Sequence, residues 1–438
     1  MIRKKNTSMR GFTKKLLALL LLTSAGMSDS AESPTDSLPD GRQQSQFSVA
    51  LSSGWGYLAP KGDHNKAVMK THDVGYLDFR LQWKSNRNDA YDRAFHHPTI
   101  EAGLLLGDFT HVHLQGPETP YEGKVGREAA LYGGFRWDFW QCSNWSAGMN
   151  LQNGVAYFTE HFDEHTNADN WLVGSPLSVF ISAGAYMQYQ FSPRWKASLG
   201  IDFKHVSNGT MSRPNLGANT FGPMLMVAMT EPSRGKESDT PSNRSPQAAD
   251  ASTFPYKEGH GLYGNSPWGG SSPLCLELSA GIAGSTLRDQ FTAYHSNHHP
   301  LYGSFIAMAA PMYRYHPIMA SGLEMNYVYA TYADHIGYYD KLNGYGGHDY
   351  SRHVFGAGFR HEFFYRHVSL HMGVGMYLYR HMGHTAATAD GGSYQTVGVR
   401  YSFPSTNDRL FIGYNVKAHN FSKADCLQFS IGYRIPCF

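Results

Sequence analysis

The stretch "VSLHMGVGMYLY", residues 368–379, decides how this 438-residue chain is read. Val368, Leu370, Met372, Val374, Met376 and Leu378 fall on one side of a two-residue period. Ser369, His371, Gly373, Gly375, Tyr377 and Tyr379 fall on the other. Successive side chains of a strand point to opposite faces, so the segment predicts a strand with one apolar face and one small or polar face. The alternation recurs along the chain. Beyond the N-terminus no run reaches the roughly 18 apolar residues of a membrane helix, which excludes a helical membrane protein.

The connections alternate as well. Tight ones are "CSNW" (142–145), "SPRW" (192–195), "YHP" (315–317), "RHVS" (366–369) and "PSTND" (404–408). Between them lie longer polar segments at 109–127, 158–176, 288–300, 333–351 and 380–392. Short turns at one end and long loops at the other mark an antiparallel outer-membrane β-barrel. Phe139, Trp140, Trp145, Phe191, Trp195, Tyr313 and Tyr315 crowd the short turns, as an interfacial aromatic girdle requires. A soluble β-sandwich also alternates, but it leaves this asymmetry and this belt unexplained. Phe438, after "LQFSIGYRIPCF", suits the closing strand of such a barrel.

Composition agrees. There are 28 Tyr, 25 Phe and 46 Gly, which suit strands better than helices. Lys+Arg is 37 against 35 Asp+Glu, so the basic footprint of a nucleic-acid binder is missing. Arg3, Lys4, Lys5, Arg10, Lys14 and Lys15 precede the apolar run Leu16 to Leu22, and small residues follow near Ala25 and Ala31. That order predicts a secretory signal over residues 1–31 and export to a bacterial outer membrane.

The expected organisation is all-β, with about eight strands within 46–229 and about eight more within 274–438. One barrel of about 14–16 strands and two eight-stranded units both fit. Residues 230–273 contain no Ile or Val and are rich in Ser, Pro and Gly, which predicts a disordered linker. "GIDFKHVSNG" (200–209) and "GYNVKAHNFSK" (413–423) echo each other at comparable places in the two halves.

One strand is chemically unusual. In "WKASLGIDFKHVS" (195–207), Trp195, Ala197, Leu199, Ile201, Phe203, His205 and Ser207 share a face; Lys196, Ser198, Gly200, Asp202 and Lys204 share the other. A barrel turns the apolar face to lipid, so His205 and Ser207 are placed on the lipid side, far from the short "SPRW" turn. Ten residues at about 3.3 Å, tilted by roughly 40°, climb about 25 Å, the height of the apolar band. Polar groups at the outer edge of a bilayer are costly and need a reason. At i and i+2 the imidazole can take the hydroxyl proton, an arrangement that suits a hydrolase acting on an acyl ester in the outer leaflet.

"HVSNGTMSRPNLGAN" (205–219) resembles the active-site segment of the PagL-type lipid A 3-O-deacylases, also called acyloxyacyl hydrolases. The likeness runs weakly upstream through "HPTIEAGLLLGDF" (97–109), "EAALYGGFRW" (128–137) and "NWLVGSPLSVFISAGAYMQYQF" (170–191), covering roughly 97–229. The resemblance implies an outer-membrane barrel that removes an ester-linked acyl chain from lipid A of lipopolysaccharide. It assigns Ser207 as nucleophile, His205 as general base, Asn208 with Gly209 to the oxyanion hole, and Pro214, Asn215 and Gly217 to the following turn. The family's third catalytic position, twelve residues after the serine, is Glu; here it is Asn219. Asn can orient an imidazole but cannot stabilise its charged form. Glu160, Asp163 and Glu164 are helper carboxylates by sequence proximity alone. The same segment resembles outer-membrane phospholipase A, which has Asn at that position and is a calcium-dependent dimer. A barrel without hydrolase activity, a channel or a surface-interaction protein, is the third reading.

No cofactor or metal is expected, calcium excepted in the phospholipase reading, and the expected partners are lipid A and membrane lipids. A homodimer stays open. The histidine pairs at 96–98 and 298–300 lack a completing ligand at metal spacing, and Cys142, Cys275, Cys426 and Cys437 are spaced too widely for a disulfide framework. Pro223 predicts a bulge or an early exit from the strand after Asn219.

Overall fold

In the computed structural model the described residues are 45–231 and 273–437, except 88, 118 and 422. The expected signal segment at 1–31, nearly all of the expected 230–273 linker and Phe438 lie outside them.

Sixteen strands form two closed antiparallel barrels of eight. The first comprises β1 (Gln46–Ala59), β2 (Asp73–Lys84), β3 (Thr99–Asp108), β4 (Arg127–Cys142), β5 (Trp145–Phe158), β6 (Leu177–Gln190), β7 (Trp195–Ser207) and β8 (Ala218–Thr230). The second comprises β9 (Leu274–Ser285), β10 (Tyr302–His316), β11 (Met319–Ala330), β12 (Tyr350–Tyr365), β13 (Val368–Met382), β14 (Ser393–Ser402), β15 (Leu410–His419) and β16 (Lys423–Pro436). Each barrel runs strand to neighbouring strand and closes last on first. β8 returns to β1, with Asn219 opposite Ala59 and Met229 opposite Val49, and β16 returns to β9. The ladders therefore settle on two units rather than one large barrel.

The predicted faces hold along most strands. On β7, Leu199, Ile201 and Phe203 face outward and are exposed, while Ser198, Asp202 and Lys204 are buried in the lumen. The girdle residues Phe139, Trp140, Trp145, Phe191, Trp195, Tyr313 and Tyr315 are all exposed beside the short turns. Two expectations fail. Leu378 and Tyr379 are both exposed, because the β12–β13 register shifts between Phe355 and Gly356 and the extra residue turns Tyr379 outward. Pro223 neither bulges nor ends β8: it stays opposite Ile201, and only the ladder to β1 lacks partners there. A proline has no N–H to give that ladder, yet its extended backbone fits the strand.

An eight-stranded barrel is just wide enough to be filled by side chains. In the first, Tyr132 donates to Asp78 (2.7 Å), and Arg80 pairs with Asp78 (2.8 Å) and Glu101 (3.6 Å). In the second, Glu277 meets Arg360 (2.5 Å), Arg400 (2.7 Å) and Arg434 (3.3 Å), and Arg434 also meets Glu362 (3.1 Å). Burying an ion costs several kcal/mol, which only such mutual pairing offsets. Both lumens are thus occupied by protein, which removes the physical basis for a wide channel.

The barrels meet at both ends. On the long-loop side, Thr210 Oγ1 donates to the Asp425 carbonyl (2.6 Å), Thr286 N donates to the Thr210 carbonyl (2.8 Å), and Arg213 Nε donates to the Thr286 carbonyl (2.9 Å). On the short-turn side, Arg366 reaches Asp89 and Asp92 (3.0 Å each) and Tyr365 donates to Asp92 (3.0 Å). Between them Tyr414 on β15 hydrogen-bonds Asn153 on β5.

Candidate active site

The last turn of β7 carries His205 and Ser207 side by side on the outer wall. β8 supplies the third group, because Asn219 is the register partner of His205. The imidazole lies between the other two: Nε2 is 3.0 Å from Ser207 Oγ and Nδ1 is 2.7 Å from Asn219 Oδ1. Asn219 Nδ2 faces the Gly217 carbonyl at 3.5 Å, which fixes the amide with its oxygen toward the ring. An acceptor on Nδ1 holds the proton there and leaves Nε2 as a lone-pair base facing the hydroxyl. Ser207 is 8 % exposed, so bulk water is largely kept from the nucleophile.

Two of the helper carboxylates, Asp163 and Glu164, have partners of their own. Asp163 accepts from His165 N, Thr166 N and Thr166 Oγ1 in its own turn, and Glu164 sits 3.4 Å from His165. The ring partner is Asn219 itself.

Residues 208–217 form a clamped loop. Asn208 N donates to Asn215 Oδ1 (3.2 Å), while Asn208 Nδ2 donates to Ser175 Oγ (2.9 Å) and the Ser212 carbonyl (3.2 Å). Both side-chain hydrogens of Asn208 are therefore spent on shaping the loop. Gly209, next in sequence, has φ 59°. Leu216 N and Gly217 N donate to the Trp171 and Leu172 carbonyls (2.9 and 3.1 Å), which ties the Pro214–Asn215–Gly217 turn to the 159–176 loop. Gly217 must be glycine: its φ is 80°, and a Cβ would stand 2.9 Å from His205 Cε1. Gly174 likewise leaves room for the Pro214 carbonyl.

Sequence reasoning missed several of these supports. Ser175, Trp171, Ser285, Thr286 and Asp425 hold the loop, but three of them come from the second barrel and share no local pattern with the motif. Lys61 follows Ala59, the β1 partner of Asn219. Burial, and then the charge of Lys423 on the second barrel, lower its pKa.

A closed barrel with a hydrogen-bonded Ser–His–Asn array on its outer wall, at the long-loop end, defines a class: outer-membrane β-barrels with a polar site facing lipid. The comparisons with known proteins narrow it. Residues 128–229 match the family described as lipid A 3-O-deacylase (PagL), and residues 276–436 match acyloxyacyl hydrolase, C-terminal domain. The two matches fall one on each barrel and mark the chain as a carboxylic ester hydrolase of the lipid A deacylase type. No curated protein matches it. Among solved structures, it is similar to the outer-membrane enzyme PagL at 15 % identity and TM-score 0.26, covering 40 % of this chain and 97 % of that one. Neisserial surface protein A matches at 8 % and 0.25 over 42 % and 96 %. The monoaromatic hydrocarbon channel CymD matches at 9 % and 0.18 over 90 % of each chain.

Proposed function

We propose that this protein is a serine ester hydrolase that removes an ester-linked acyl chain from lipid A in the outer leaflet. The observation that carries the reading is the His205 ring, held by Asn219 at 2.7 Å and aimed at Ser207 at 3.0 Å on a lipid-facing wall. Ser207 Oγ attacks the ester carbonyl carbon as its proton passes to His205 Nε2. The C–O bond to the sugar breaks, and that oxygen leaves with the proton from His205. Water, deprotonated by the same nitrogen, then attacks the acyl-serine and releases a fatty acid and free Ser207. The main-chain N–H of Gly209 is the proposed oxyanion donor. Asn208 serves this site by holding the loop, and would have to release Ser175 or the Ser212 carbonyl to donate directly.

The two family matches support lipid A as substrate. Residues 1–31 are proposed to direct export. Asn219 favours a second reading, phospholipase A chemistry on the same residues; lysophospholipid as product, and dependence on added calcium, would distinguish it. Treatment with a fluorophosphonate tests the nucleophile. Peptide mapping is expected to place the adduct on Ser207, and labelling elsewhere, or none in folded protein, would sink the assignment.

A further inference from the structure

Among the described residues the second barrel bears no copy of the catalytic array. Its seventh strand, β15, carries the echo of β7, but Ala418 and Asn420 stand where the alignment of "GYNVKAHN" with "GIDFKHVS" places His205 and Ser207. His419 points inward instead, hydrogen-bonded to Tyr377 at 2.7 Å. A barrel that keeps the fold without the chemistry is available for another part of the reaction.

Its outer wall has a groove of about 630 Å³, whose outward-facing lining includes Ala280, Ile282, Ile412, Tyr414, Phe429 and Ile431. The groove lies two residues along β16 from the position that meets the catalytic loop, and it runs on through Tyr401 to Val368 beside the short 366–369 turn. Leu427 on β16 covers Gly209, where a Cβ would lie 3.2 Å from the leucine side chain. Phe429 and Ile431 are the next outward residues along β16, each about 7 Å further from the long loops. Across the ladder they meet Ile282 and Ala280 on β9. Tyr414, bound to Asn153 of the first barrel, shows that this wall turns toward the catalytic barrel. The seam is bridged at its two ends and at Tyr414, and beside that bridge Ile282, Phe429 and Ile431 remain 58, 49 and 53 % exposed. Arg400 borders the groove only with its backbone, its side chain being 1 % exposed in the lumen ion cluster.

We propose that this groove of the second barrel receives the acyl chain of the ester cleved at Ser207, a reading that rests on the hydrolase function above. Several features favour that occupant. The groove lies next below Leu427, which covers the nucleophile's loop, sits at the depth of bilayer hydrocarbon, presents no charged side chain, and falls within the roughly 300–1,000 Å³ of ligand-sized pockets. The second barrel then measures the chain while the first cuts it.

The test uses the full-length protein in detergent micelles with p-nitrophenyl butyrate and p-nitrophenyl tetradecanoate. Ala280→Phe fills the groove. Ala307→Phe places the same ring on the register partner of Ala280, which is outward and outside the groove. Ala280→Phe is expected to lower kcat/KM for the long ester by about tenfold or more and to leave the short ester within about twofold. Ala307→Phe should change neither. Unchanged long-chain hydrolysis in Ala280→Phe, an equal loss in Ala307→Phe, or parallel loss on both esters would overturn the proposal. Should Ala280→Phe not fold, Phe429→Ala decides: weakened preference for the long ester supports the groove, and an unchanged preference contradicts it. Ser207→Ala that still cleaves the butyrate would refute the hydrolase reading itself, separately from the groove.

Discussion

Asn219 Oδ1 accepts a hydrogen bond from His205 Nδ1 at 2.7 Å across the β7–β8 ladder, where the two residues are register partners. The contact is set by backbone pairing rather than by a loop, so the ring is oriented as soon as the barrel closes. It fixes the tautomer without placing a second buried charge on the lipid-facing wall.

Asn219→Ala removes that acceptor and lets the ring take the wrong tautomer. Loss of correct tautomer in a serine protease triad costs about 10⁴-fold, and a fall in kcat of about 10²-fold or more is expected here. Asn219→Asp keeps an acceptor in place and should retain activity within about tenfold of the parent. Equal loss in both variants, measured as turnover of a short ester, would show that the contact is structural only.

Thr210→Val keeps the shape of the side chain but removes the hydroxyl that joins the Asp425 carbonyl and Ser285. A lost buried hydrogen bond with a stranded partner costs about 1–3 kcal/mol. Faster amide exchange in 208–217 and reduced turnover are expected, with both barrels still folded. Unchanged exchange would mean that the second barrel does not brace the loop.

His64 stacks on Trp171 with ring centroids 3.9 Å apart. Burial lowers its pKa, opposed by its hydrogen bond to the Asp169 carbonyl. The neutral ring is therefore favoured when folded. Its contribution is complete above the unfolded value of about 6.5 and is lost as pH falls through the depressed folded value. Since the Trp171 and Leu172 carbonyls hold Leu216 and Gly217, the protection of amides in 208–217, corrected for the intrinsic pH dependence of exchange, should fall on acidification. His64→Phe preserves the stack and should flatten that dependence; an unaltered pH profile would contradict the link.

Glu277 is shared by Arg360, Arg400 and Arg434 in the second lumen. Glu277→Ala leaves three buried guanidiniums with only Glu324 and Glu362 to balance them and is expected to cost about 3–5 kcal/mol. The measurement is the urea midpoint of the refolded protein in micelles. A change below about 1 kcal/mol would mean that water replaces the carboxylate.

Much of this was legible before any coordinates, for definite reasons. A two-residue period and alternating loop lengths are local signals, and they place strands, faces and the i, i+2 relation of His205 to Ser207. Closure is not local. Whether β8 turns back to β1 or pairs onward depends on a ladder between residues such as Ala59 and Asn219, which no spacing rule specifies. The loop supports were hidden for the same cause: Ser285 and Asp425 lie 75 and 215 residues from Thr210. Asn208 shows the limit of motif transfer, since its amide hydrogens are both engaged by Ser175 and Ser212. Tyr379 shows the limit of periodicity, since one extra residue in β13 reverses every face beyond it.

The central claim is that Ser207 removes an acyl chain from lipid A. It is tested most directly by mass spectrometry of lipid A and phospholipids from cells that carry either the parent protein or Ser207→Ala in the outer membrane. The account predicts lipid A lighter by one acyl chain with the parent and intact lipid A with the variant. Identical lipid A in both, with both proteins folded, would contradict it.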